Sequence, residues 1–230
     1  MKRGLARRGE ARQGMAGHGK AKRRHLKGVI IMAKKQEGNA VTIMERDFRE
    51  LTIPIIGQTG YIPRRPQRSA VKGIPDEHGN VIKTSKNRDL DAEYEQCFHY
   101  NEDGEYAIPG AAFLEALCEA TKDLKDIYTT TIRRNILVLD EYCKITEYSK
   151  IRRREDFVKN SGMTAALNIA VRPEFLDWKT QVRLRFDNDI VPKASLLNLM
   201  YIAGQKIGVG AWRPERGGRF GTFTIGETNA

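Results

Sequence analysis

The run WKTQVRLRF, Trp178 to Phe186, alternates without a break: Trp178, Thr180, Val182, Leu184 and Phe186 fall on one side, Lys179, Gln181, Arg183 and Arg185 on the other. Successive side chains of a strand point to opposite faces, so a period of two predicts an antiparallel strand, buried on one face and basic on the open one. Lys179, Arg183 and Arg185 on that open face suit either a nucleic-acid strand tracked along the sheet or plain solubility and edge protection.

Downstream, Pro192 to Gly204 predicts a helix, with Ser195 helping to cap its start and Leu196, Leu199, Met200 and Ala203 spaced for burial. Then comes GQKIGVGAWRPERGGRFGTFTI, Gly204 to Ile225, a glycine-rich loop that returns to a short strand, Thr222 to Ile225. Seven of the chain's 21 glycines fall between Gly204 and Gly226. Arg213, Arg216 and Arg219 set fixed positive charge beside Trp212 and Phe220, a mixture that suits a phosphate backbone with exposed bases. The same residues also fit a structural turn, with the two aromatics packed inside, or a protein interface.

Upstream, Val41 to Ile56 is rich in β-branched and apolar residues and predicts one or two strands, with Pro54 at an edge or a strand end. Gln58 to Asp89 is a long connection holding Pro63, Pro66 and Pro75, and its Arg64, Arg65, Arg68 and Lys72 form a second basic cluster beside Tyr61. Asn101 to Gly104 is a turn, and Tyr106 to Ile108 a strand leading into a helix from Pro109 to Lys122, with Phe113, Leu114 and Leu117 on its apolar face. The free amides at Gly110 are open to a phosphate or capped by protein or water. Asn135 to Asp140, Tyr142 to Tyr148 and Ala165 to Val171 predict further strands, with the charged run Lys150, Arg152, Arg153 and Arg154 between them.

Strung together, these elements predict an α+β fold: a ferredoxin-like or RRM-like antiparallel sheet with two helices, carrying insertions after its first strand and among its central ones. Residues 36–230 form one domain with a long insertion around 58–105. The net charge of +11 lies entirely in residues 1–35, which hold 12 Lys and Arg against the single acid Glu10. Such a segment predicts a disordered basic arm that neutralises polyanions without specificity. Alternatively, Met32 is the true start and residues 1–31 are not translated.

No apolar run reaches the length of a membrane span, so a bacterial cytoplasmic protein without a membrane partner is expected. Cys97, Cys118 and Cys143 lack paired spacing, and His18, His25, His78 and His99 are scattered, so no disulfide framework, metal site or cofactor follows. Asp187 and Asp189 suit Mg²⁺ or a turn, and the turn is the better fit because they follow a strand and precede Pro192.

Two motifs carry a resemblance. Tyr106-Ala107-Ile108-Pro109-Gly110 before a helix, with Gly208-Val209-Gly210-Ala211-Trp212-Arg213-Pro214 and Gly217-Gly218-Arg219-Phe220-Gly221 near the end, resembles uncharacterised proteins of bacteriophage and prophage genomes. It is similar, more distantly, to the RAMP (Cas7-like) superfamily of CRISPR backbone proteins. That resemblance implies an RRM-like fold and a glycine-rich loop that contacts RNA, here Gly208, Gly210, Gly217, Gly218 and Gly221; the chain departs from the fuller pattern in lacking a recognisable catalytic histidine near its start, so processing nuclease activity is not implied. The expected function is non-catalytic binding of single-stranded RNA or DNA, with homo-oligomers or filaments on the strand. The alternative is a virion or assembly protein whose basic arm contacts packaged genome.

Overall fold

A computed structural model describes residues 29–30, 43–65, 89–125, 127–159 and 167–227. The chain divides into two units, Met1–Glu45 and Arg46–Ala230. In the first, β1 (Val29–Ile30) pairs antiparallel with β2 (Ile43–Met44). The predicted arm otherwise lies outside the described residues, as do Arg68 and Lys72.

The second unit holds an antiparallel sheet whose strand order is β10 (Phe223–Ile225), β3 (Phe48–Gly57), β9 (Lys179–Asp187), β6 (Tyr142–Glu147), β4 (Ala107–Pro109), with β5 (Ile136–Val138) also on β9. Taking β3, β6, β9 and β10 as first to fourth, the spatial order is fourth, first, third, second, and the helices α2 (Gly110–Ala120) and α4 (Lys193–Ile202) follow the first and third. This is the β-α-β-β-α-β arrangement of a ferredoxin-like fold. A long hairpin, β7 (Lys150–Lys159) with β8 (Leu167–Leu176), is inserted between β6 and β9.

The alternation in β9 is realised as predicted. Trp178, Thr180, Val182, Leu184 and Phe186 are all buried, while Lys179, Gln181, Arg183 and Arg185 are exposed. Trp178, Val182, Leu184 and Phe186 pack with Ile53 and Ile55 of β3, Phe113 and Leu117 of α2, and Leu196 and Met200 of α4 into one core. Trp178 spends its indole N–H on the Thr59 carbonyl at 2.8 Å, which satisfies a polar group that burial would otherwise penalise.

Several expectations need correction. Pro54 lies inside β3 rather than at its end, opposite Gln181. Its carbonyl accepts from the Gly226 amide just beyond β10, so its missing N–H falls at the place where that ladder stops. Ser195 does not cap α4; the Lys193 amide donates to Asn188 Oδ1 at 3.2 Å instead. The charged run at Arg152 to Arg154 is strand β7, and the strand read as Ala165 to Val171 runs on to Leu176. Two short helices, α1 (Leu90–Glu95) and α3 (Thr129–Asn135), were not predicted.

Candidate nucleic-acid interface

The glycine loop is laced into its surroundings by backbone hydrogen bonds. Past Gly208, Val209 donates to Gly221, Ala211 to Ile62, and Gly221 to Gly60, at 2.8 to 2.9 Å, while Phe220 donates to Trp212 at 3.0 Å. Gly221 has φ +69° and a Cβ there would overlap the Val209 carbonyl; Gly210 and Gly218 abut the carbonyls of Ile62 and Trp212. Gly217, at φ +74°, has open space around it.

Arg213 turns inward. Its Nε donates to Glu215 at 2.8 Å and an Nη to the Gly210 carbonyl at 3.2 Å, with only 14% of the side chain exposed. Its charge is spent on holding the loop. Arg216 is exposed and reaches Glu215 at 3.4 Å.

The β7–β8 hairpin supplies the opposite wall. Arg154 lies across from Arg172, and Arg152 across from Glu174. Glu174 is 2% exposed, and its carboxylate receives Arg152 at 2.7 and 3.0 Å and Arg154 at 3.1 Å. Arg154 also grips Asp156 with two nitrogens at 2.9 and 3.1 Å, and these contacts, above all that with Asp156, hold its pKa above the ordinary value. So held, the centre of its guanidinium lies 4.8 Å from the Phe220 ring centroid. Arg172 lies 4.7 Å over Trp212, and Arg219 5.5 Å over Phe220.

Loop and hairpin thus border a shallow, open cleft of about 420 Å³ lined by Arg154, Asp156, Phe157, Trp212, Arg219 and Phe220, with Phe157 75% exposed at its lip. Trp212 and Phe220 sit 6.4 Å apart, centroid to centroid. Flat aromatic rings and flat guanidinium groups both stack on bases, so the lining offers stacking surfaces with positive charge between them.

Of the residues predicted from sequence, Trp212, Gly217, Gly218, Arg219 and Phe220 meet at this cleft. Arg64 is exposed and close enough to act on Arg172 through its charge, whereas Arg65 donates to the Phe98 carbonyl at 3.2 Å. Lys179, Arg183 and Arg185 stay on the open sheet face, which is charge-balanced: Lys179 pairs with Glu147 at 2.6 Å, Arg183 grips Asp140, and Arg185 stands opposite Glu50. Arg183 lines a different cleft, of about 550 Å³, with Glu102, Asp103, Asp140 and Glu141. The partners come from distant segments, so the strand pattern alone reads as basic.

Arg154 of the cleft belonged to the charged run read from the sequence, whereas Phe157 at the lip and Arg172, against Trp212, had no sequence signal of their own. At Gly110 the amide donates to the Glu141 carbonyl at 2.7 Å, and a Cβ there would overlap the Asp140 carbonyl, so protein caps this helix start. Asp187 and Asp189 serve a turn, accepting from the amides of Asp189 at 3.0 Å and Asp47 at 3.2 Å. Among the described residues no helix is long and apolar enough to cross a membrane.

No family model matches the chain, and no curated protein does. Solved structures do. A chain in the cryo-EM structure of the Type III-B Cmr-beta bound to cognate target RNA is 9% identical with a TM-score of 0.51, over 78% of this chain and 59% of that one. Cmr6 from Pyrococcus furiosus is 10% identical with a TM-score of 0.42, over 78% of this chain and 99% of that one. The chain therefore spans 59% of the length of the Cmr-beta chain. The likeness is one of fold, and it agrees with the RRM-like α+β fold that the RAMP resemblance implied.

Proposed function

We propose that the chain binds single-stranded nucleic acid, RNA or DNA, in the cleft between the glycine loop and the β7–β8 hairpin, without catalysing a reaction on it. The observation that carries this reading is the set of guanidinium groups set against Trp212 and Phe220, the two rings that line one cleft. Bases stack on such surfaces whatever their sequence, at roughly 1–3 kcal/mol each. The cleft is favoured over the sheet face because Lys179 and Arg183 of β9 already have carboxylate partners. The fold shared with a chain of an RNA-bound Cmr-beta structure adds support.

The test is a titration of the full chain against single- and double-stranded RNA and DNA at low and moderate salt, for the parent and for Phe220→Ala. Single strands are expected to bind more tightly than duplexes, and Phe220→Ala to weaken the single strands about tenfold, the loss of one stacked base. Equal affinity for all four, unchanged in Phe220→Ala, would refute it. The finer form of the reading, copies arrayed along a strand in a phage or prophage setting, predicts assembly only when oligonucleotide is added. Defined oligomers without nucleic acid would instead favour the virion or assembly role.

A further inference from the structure

The arginines around the cleft divide by what their charges already touch. Arg152 and Arg154 are engaged by Glu174, Arg154 again by Asp156, and Arg213 by Glu215. Arg172 differs. It is half-buried, the centre of its guanidinium lies 4.7 Å from the Trp212 ring centroid, and among the described residues that guanidinium makes no hydrogen bond or ion pair. Asp156, whose charge also acts on Arg172, is held by two nitrogens of Arg154, and the nearby Arg64 brings a like charge.

A half-buried cation without a direct ion pair is costly, and contact with an indole offsets only part of that cost. Burial first, and Arg64 after it, push the Arg172 guanidinium below its ordinary pKa. With no carboxylate or carbonyl of the described residues on its nitrogens, the guanidinium beside Trp212 keeps its donors for a bidentate oxyanion. Resting on the strand-binding reading above, we propose that Arg172, with Arg64 beside it, is the seat of one phosphodiester of the bound strand, while Arg152, Arg154 and Arg213 hold the stacking surfaces in place. The strand is then pinned at one phosphate beside Trp212, with its bases directed toward Phe220 and Phe157.

Counterion release gives this seat its own signature. Each phosphate neutralised on a single strand contributes about 0.7 to the slope of log affinity against log salt. The experiment measures fluorescein-labelled oligouridylate binding across a salt series for the parent, Arg172→Gln, Arg172→Lys and Arg64→Gln, with melting temperatures taken on the same samples. Arg172→Gln should weaken binding about tenfold and lower the slope by about 0.7, and Arg172→Lys should restore the slope. Arg64→Gln, at an exposed position that leaves folding intact, should lower the slope in the same direction. A parent-like slope in both Gln variants, with binding still sensitive to Phe220→Ala, overturns the phosphate seat and leaves the strand-binding reading standing. No binding of oligouridylate by the parent overturns both.

Discussion

Two glycines of the loop share a backbone conformation and differ in what surrounds them, so replacing each with alanine separates conformational cost from steric cost. Gly217 and Gly221 have φ of +74° and +69°. An L-residue held there pays about 1–2 kcal/mol in either place. At Gly217 that is the whole cost, since nothing lies within 4 Å of the added Cβ. At Gly221 the methyl would overlap the Val209 carbonyl, and the backbone must move in the place where Gly221 donates to Gly60 and accepts from Val209, both at 2.9 Å. Loss of those two hydrogen bonds adds about 0.5–1.5 kcal/mol each, for a total of about 2–5 kcal/mol. Urea unfolding of both variants at matched m-value reads the difference. Equal destabilisation would mean that the crossing of residues 209 and 221 does not hold the loop, and the cleft would lose its rigid wall.

Phe113→Ala and Leu117→Ala, both 0% exposed, should each lower stability by about 2–5 kcal/mol in the same assay. Arg213→Gln should cost about 1–3 kcal/mol by leaving Glu215 only the exposed Arg216 and removing the donor to the Gly210 carbonyl, while barely changing oligonucleotide affinity, the reverse of what a phosphate-binding arginine would do. Arg183 holds the Asp140 carboxyl below its ordinary pKa of 3.8, a contribution present above that value and lost as pH falls through the lower folded one. Acid unfolding of Arg183→Gln should therefore converge on the parent at low pH and separate from it at neutral pH. Burial pushes the Cys143 thiol up to about 12, and Cys97 and Cys118 are also buried, so thiol reagents at neutral pH should label all three only as fast as the protein unfolds.

How much of this was legible depended on the range of the interactions. The period of two at Trp178 to Phe186 and the spacing of Phe113 and Leu117 are local, and both gave elements where the structure has them. α3 is seven residues with three threonines, a composition that favours strand, and tertiary packing of Ile132 overrides it. α1 did carry a signal, since Asp89 accepts from the amides of Asp91 and Ala92 as an N-cap, and its shortness hid it. The cleft was half legible. Trp212, Arg219 and Phe220 stand together in sequence, while Arg154 and Arg172 reach them only because β7 and β8 fold back over the loop. The charge of an arginine is local, and whether it is free depends on a carboxylate such as Glu174 or Glu215.

The chain has two tryptophans, of which Trp178 is buried at the centre of the core and Trp212 is half-exposed beside the cleft. Intrinsic fluorescence during oligouridylate titration therefore reports on the proposed surface alone, with Trp212→Phe as the blank. Strand binding in the cleft predicts quenching that saturates in step with the anisotropy of a labelled strand and vanishes in Trp212→Phe. Binding seen by anisotropy with Trp212 emission unchanged would place the strand elsewhere and contradict the account.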